Sequence, residues 1–198
     1  MITFHNTKVF NSNDFEEYKK IKGYSHSYLK QEIGGIAPDF NVTDAVRFGS
    51  MVDNILTEPT HADITSQIYE DAKEVARLVV SFFGFEFWEE CKSQLGFTTE
   101  MEYKGLVMPF KGRLDKFSER SKMVIDLKIT NSRVKDLDTL IDYMGYKNQL
   151  WGYSKGVQAE RALLIFFSRK DKKPVIKPIN VSENSNVFFE EKILMYGR

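Results

Sequence analysis

Lys111–Thr130 reads KGRLDKFSERSKMVIDLKIT, and its reading decides the fold. Two runs with strand composition, Arg113–Phe117 and Met123–Ile129, flank the polar turn Ser118-Glu119-Arg120-Ser121, the pattern of a β-hairpin. Successive strand side chains face opposite ways, so Met123, Ile125, Leu127 and Ile129 form one apolar face. Val124, Asp126 and Lys128 fall on the other. Charges on a strand otherwise built for a core must be paired or hold a metal. Asp115, on the preceding strand, brings a second carboxylate to the same place. Two carboxylates and a lysine at a sheet edge are a candidate Mg2+ site with an amine beside it. The competing reading of Asp126 and Lys128 is a salt bridge on a solvated sheet face, and Asp115 is equally consistent with the start of the turn.

Outward from this hairpin, the order of elements is helices, three strands, a helix, two strands and a helix. Short helices are expected at Asp14–Ile21, capped by Ser12 or Asn13, and from Ser25, with Gly34-Gly35 ending the second and Ile36–Phe40 forming a loop. Thr43–Leu56 reads as a helix capped by Thr43 or Asn41, and Gly49 and Asp53 share one of its faces. A further helical run ends near Cys91, with Leu78, Val79, Phe82, Phe83, Phe85, Phe87 and Trp88 expected to pack in the core. Phe97–Met108 reads as a strand carrying Glu100 and Glu102 on one face, with a bend near Gly105 and Pro109. Leu137–Tyr153 is a helix broken near Gly145, Arg161–Ser168 and Pro174–Ile179 are a strand pair, and Asn184–Met195 is a closing helix. The expectation is an α/β fold in a single domain spanning 1–198. In it, 1–96 form a mainly helical cap with the first core helix, and 97–198 hold the catalytic sheet and helices.

Composition limits the function classes. A content of 42% hydrophobic and 14% aromatic residues fits a folded core and excludes general disorder. The 28 basic and 28 acidic side chains cancel, so nucleic-acid binding would need a local basic surface. A single cysteine, Cys91, excludes an internal disulfide and a multi-cysteine zinc or iron–sulfur site, and suits a reducing cytoplasm. No signal-peptide core or membrane-length apolar run is present. No GxxxxGK[ST] or GxGxxG loop offers a nucleotide site. The histidines, His5, His26 and His61, are scattered, and His26 reads as a surface residue that could meet a ligand.

Taken together, Asp115, Asp126-Leu127-Lys128 and Gln149-Leu150-Trp151-Gly152-Tyr153 resemble the D…DxK…QxxxY series of the PD-(D/E)XK nuclease superfamily, in its RecB-like, RecE-type phage exonuclease branch. Ser25-His26-Ser27-Tyr28-Leu29-Lys30, the Pro38-Asp39-Phe40 loop and Phe48-Gly49-Ser50-Met51-Val52-Asp53 fit the same branch, and the likeness covers roughly residues 24–155. It implies a restriction-endonuclease-like core, a central mixed sheet flanked by helices with an N-terminal helical cap. It also implies a Mg2+-dependent DNA exonuclease of phage or prokaryotic recombination, repair or replication. Mn2+ is the alternative ion. By likeness, Asp115, Asp126 and the main-chain carbonyl of Leu127 hold the metal, Lys128 orients or deprotonates the attacking water, and Gln149 and Tyr153 contact the substrate phosphate. The first two residues suit Mg2+, which takes hard oxygen ligands. Lysine suits its place because burial moves its pKa, whereas arginine stays charged.

Arg113, Thr130, Ser25 and Ser27 are substrate-contact candidates under the same resemblance, with scattered cations such as Lys104, Lys111, Lys116, Lys147 and Lys155 lining the groove. Aromatic side chains at Tyr28, Tyr146 or Trp151 are candidates to stack on a separated end, core packing being the other use for Trp151. Asp53 stands where many relatives have histidine, and Glu100 best matches a glutamate that relatives place before the first aspartate; both are further metal-ligand candidates. Asp53 also reads as an exposed helix residue, and Gln149 with Tyr153 as a polar helix face. The implied partner is single- or double-stranded DNA, with a recombinase, a single-strand-binding protein or a second copy of the chain left open. A DNA-binding or assembly protein without catalysis, and a structure-specific endonuclease, are the alternatives.

Overall fold

The computed structural model describes residues 1–12, 15–34 and 44–198. The elements run β1 (Thr3–Asn11), α1 (Phe15–Lys20), α2 (His26–Gly34), α3 (Asp44–Thr57), α4 (Tyr69–Phe83), α5 (Phe85–Glu90), β2 (Lys92–Tyr103), β3 (Leu106–Ser118), β4 (Met123–Thr130), α6 (Leu137–Tyr143), α7 (Tyr146–Gly156), β5 (Arg161–Ser168), β6 (Lys173–Ile179) and α8 (Val187–Tyr196). The strands form one six-stranded sheet in the order β1-β2-β3-β4-β5-β6. Every neighbouring pair is antiparallel except β4 and β5, whose parallel pairing is reached through the α6–α7 crossover. The fold is therefore α/β, a mixed sheet with helices on both faces.

Each face carries its own core. On one, α7 and α8 cover Phe97, Met101, Met108, Phe110, Leu114, Val124, Leu164 and Phe166. On the other, α3 packs with α4 over Ile125, Ile165 and Phe167. The alternation of β4 divides as its sequence dictates: Val124 joins the first core, while Met123, Ile125, Leu127 and Ile129 join the second. A strand covered on both sides explains why Asp126 is only 3% exposed.

Several sequence expectations change. Residues 1–96 are not mainly helical at their start, because Thr3–Asn11 is an edge strand on β2. The Phe97–Met108 segment is not one bent strand but parts of two, turning at Lys104-Gly105, where both residues have positive φ (52° and 79°) as a two-residue hairpin requires. The helical run toward Cys91 breaks at Gly84, whose φ of 85° leaves the helical region. Beyond that break Phe85 points out, as does Phe82 just before it, at 69% and 64% exposure, so neither belongs to the core stripe that holds Val79 and Trp88. Ser12 does not cap α1; its hydroxyl donates to the Gln94 carbonyl across the sheet. Ser25 does cap α2, accepting from the Tyr28 amide. The expected Ile36–Phe40 loop and the Asn13, Gly35, Asn41 and Thr43 signals lie outside the described residues. Among those described, no helix is long and apolar enough to cross a membrane.

Candidate functional site

The site begins with a fork in the sheet. β3 and β4 pair only over Lys116–Ser118 and Met123–Ile125. Continued by one step, that register would set Asp115 opposite Asp126, but the ladder stops there. On its other side β3 stays with β2, yet Asp115 is again skipped, between Lys116↔Ser93 and Leu114↔Leu95. Into the opening Asp115 turns its carboxylate, and Oδ2 accepts the Leu127 amide at 2.7 Å. A side chain thus takes the place of a strand carbonyl, which satisfies an amide that would otherwise be orphaned. Farther along, Tyr24 fills the exposed edge of β3 by exchanging backbone bonds with Pro109 and Lys111.

Both helical layers send residues into this fork. From α3, Asp53 joins Gly49, Ser50, Asp115, Leu127 and Lys128 around a cavity of about 320 Å³. From α7, Gln149 reaches Asp126 Oδ1 at 3.5 Å. Lys128 Nζ lies 2.6 Å from Asp126 Oδ2 as a close ion pair, and 5.3 Å over the Tyr146 ring. Asp126 is therefore buried and Lys128 half-buried at the mouth of the fork, so the pair is not a salt bridge on a solvated face.

The electrostatics of the group favour a cation. Burial raises Asp53 most, Asp115 adds to it, and its pKa is pushed up to about 8. Asp126 is raised to about 6, by burial first, with Lys128 opposing and Asp115 reinforcing. Burial opposes the Lys128 charge, but Asp126 and then Asp115 outweigh it and hold the ammonium above its ordinary 10.5. This reverses the expectation that desolvation would lower it: the lysine is locked as a cation by the carboxylates beside it. Tyr153, packed edge-on against Phe97, is pushed up to about 12 by burial and then by Asp126, with a Gln149 hydrogen bond working against the rise. Crowded carboxylates that hold their protons against one another, with the Leu127 carbonyl next to Lys128, fit a divalent ion on oxygen ligands. Yet no three His, Cys, Asp or Glu side chains among the described residues already stand as a metal cage. The fit rests on Asp115, Asp126 and the Leu127 carbonyl, with Asp53 the adjacent carboxylate.

A pH dependence follows from these shifts. Asp53 and Asp126 have folded pKa values above their ordinary 3.8, so the metal-free fold binds more protons than the unfolded chain. Their contribution to stability is complete below about pH 4 and is lost as pH rises through 6 and 8. Asp53→Asn should therefore raise the melting temperature of the metal-free protein several-fold more at pH 8 than at pH 4.5. Thermal scans in EDTA at the two pH values check it; equal shifts at both would contradict the assignment.

Other predicted residues fall elsewhere. Glu100 is not at the site: it pairs in register with Pro109, six residues beyond Asp115 or roughly 20 Å along the strand, and accepts a bond from Asn6. Glu102 pairs with His5 at 3.1 Å. Arg113 reaches the rim, but its guanidinium is engaged with Glu58 at 2.9 Å and with the Ser12 carbonyl. Lys111 is a helix cap, donating to the carbonyls of Tyr18, Lys19 and Ile21, and Lys116 does the same for Trp88 and Cys91 at the end of α5. Neither lines a groove. Lys147 pairs with Asp142, Lys155 contacts Ser182 and Asn184, and Lys104 sits on the β2–β3 turn. Thr130 accepts the Ser132 amide, Ser25 is the α2 cap, and Ser27 is exposed. Trp151 is buried, its indole donating to the Glu183 carbonyl, so packing is its role; Tyr28 is 46% exposed.

Sequence reasoning missed two residues. His26 is buried, not on the surface: its ring packs at a tilt against Phe188 and is pushed down to about 4 by burial, then Lys30 and Lys128. Gln94, 1% exposed, donates to Thr57 Oγ1 at 2.7 Å and to Asp53 Oδ2 at 3.4 Å. Nothing in the polar start of β2, Lys92-Ser93-Gln94, marks it in the sequence.

No family model matches the chain, and no curated protein matches it by sequence. Among solved structures, the crystal structure of a phage-related exonuclease from Haemophilus somnus 129PT is similar at 15% identity over 90% of this chain and 92% of that one, with a TM-score of 0.45. The crystal structure of SSO0001 is similar at 20% identity over 76% of this chain and 69% of that one, also with a TM-score of 0.45.

Proposed function

We propose that the chain is a divalent-cation-dependent DNA nuclease on a restriction-endonuclease-like core, hydrolysing phosphodiester bonds as an exonuclease in phage or prokaryotic recombination, repair or replication. The observation that carries this reading is the ion pair of buried Asp126 with half-buried Lys128, set beside the Asp115 carboxylate where β3 and β4 separate. Asp115, Asp126 and the Leu127 carbonyl would hold Mg2+ or Mn2+, with Asp53 beside them. The ion, when bound, supplies an activated water and offsets charge on the phosphoryl oxygens. Lys128 contributes as a fixed ammonium: it donates a hydrogen bond to the attacking water or a phosphoryl oxygen, and its raised pKa makes it a poor base. Gln149, already within reach of Asp126, is placed to orient that carboxylate or a phosphate oxygen. Tyr153 is packed into the core, and its contribution is to seat α7.

A second reading, a DNA-binding or assembly protein without catalysis, is favoured by one observation: no three-carboxylate cage is already formed among the described residues. End-labelled linear DNA and closed circular DNA, each incubated with Mg2+ and with EDTA, separate the possibilities. Mononucleotide release from linear DNA only in Mg2+ is the expected result. Cutting of the closed circle would make the protein an endonuclease, and binding without cleavage would establish the second reading.

A further inference from the structure

Gln94 occupies an unusual position. It lies level with Asp115 in the β2–β3 register, at the step both strands skip, and its backbone is left-handed, with φ of 48°. A non-glycine residue in that region is uncommon and is kept only where its surroundings fix it. They do so here. Its carbonyl accepts both the amide of Ser12 at 3.2 Å and the Ser12 hydroxyl. Its side chain, thereby turned toward α3, donates to Thr57 Oγ1 at 2.7 Å and to Asp53 Oδ2 at 3.4 Å. Thr57 in turn donates to the Asp53 carbonyl at 2.8 Å and approaches Asp53 Oδ1 at 3.5 Å. One neutral donor, the Gln94 amide, thus reaches the carboxylate that faces Asp115, and the Thr57 oxygen it also meets is tied to the Asp53 main chain.

Resting on the nuclease reading above, we infer that Gln94 is a positioning residue which, steadied by the Thr57 hydroxyl that accepts from its amide, holds the Asp53 carboxylate toward the cation site. An amide suits the task. A carboxylate in its place would repel Asp53, and a lysine would neutralise it and compete with the cation. Glutamine supplies a donor with no net charge, fixing the carboxylate's direction while leaving it available to a metal. Partners that orient a ligand in this way typically change metal affinity by about 10- to 100-fold when removed.

The test is Mn2+ binding, read from the electron paramagnetic resonance of the free ion, so that it does not depend on turnover. Gln94→Met keeps length and removes the donor; Thr57→Val removes the hydroxyl that accepts from the Gln94 amide, with little change of shape. Each should weaken Mn2+ binding about 10-fold. In an Asp53→Ala background, Gln94→Met should have no further effect, because the residue acts through Asp53. A structural role alone would lower stability equally in both backgrounds and leave Mn2+ affinity unmoved. Wild-type affinity in Gln94→Met, or an undiminished effect when Asp53 is absent, overturns the positioning role while the nuclease reading stands. Failure of the wild-type protein to bind Mn2+ overturns both.

Discussion

Lys128→Met should lower the rate of phosphodiester cleavage about 10²- to 10³-fold while leaving Mn2+ affinity equal to or tighter than that of the wild type. The two effects separate because the ammonium has two relationships. Toward a substrate, it is a cation paired within the fork, held charged by Asp126 and Asp115. Toward a metal, it is a competitor, since at 2.6 Å it occupies the Asp126 Oδ2 that a cation would use. Removing it deprives the reaction of a donor and frees a ligand. Loss of one partner of a buried pair ordinarily costs several kcal/mol. Asp126, however, already has a raised pKa and can take up a proton in the absence of metal. Stability should therefore fall more at pH 8 than at pH 5. Single-turnover cleavage and Mn2+ titration of the same preparation check the prediction. Wild-type cleavage by Lys128→Met would remove the lysine from the site.

The second large effect is structural and reaches the site through α7. Phe97 is completely buried, with its ring between Gly156 at the end of α7 and Gly112 on β3. A Cβ on Gly156 would lie 2.1 Å from Phe97 Cε2, and one on Gly112 would lie 2.3 Å from Phe97 Cε1. The ring cannot retreat, because Phe110 and Tyr153 each pack 5.8 Å from it, centroid to centroid. In a free helix glycine to alanine gains about 1 kcal/mol. Here overpacking costs about 1–3 kcal/mol or more, and the contact is close enough to place it at the upper end. Gly156→Ala should lower the melting temperature by roughly 5 °C or more. Helix α7 must lift to admit the methyl group, so the Gln149–Asp126 contact should weaken and cleavage fall with it. An unchanged or raised melting temperature would contradict this packing.

What could be read from the sequence was whatever local alternation or spacing determines. The parity of β4 placed Asp126 and Lys128 together on the face opposite Ile125 and Leu127, and the structure keeps that division. The β5 run of apolar residues gave its own limits, Arg161–Ser168. The edge strand β1 was illegible because TFHNTKVFN is largely polar, and its register shifts between His5 and Lys8. Lys111 and Lys116 looked like surface cations because nothing local marks a lysine that caps a distant helix. Gln94 was hidden for a similar reason. Its role depends on a left-handed backbone and on the approach of α3, two facts of tertiary structure that leave no periodic trace. Glu100 was preferred for its carboxylate, yet the position level with Asp115 belongs to an amide.

The decisive measurement is anomalous diffraction from crystals soaked in Mn2+. The account predicts one peak at the fork, in contact with the carboxylates of Asp115 and Asp126. A fully soaked crystal with no peak there, or with its strong peak among other residues, would contradict it.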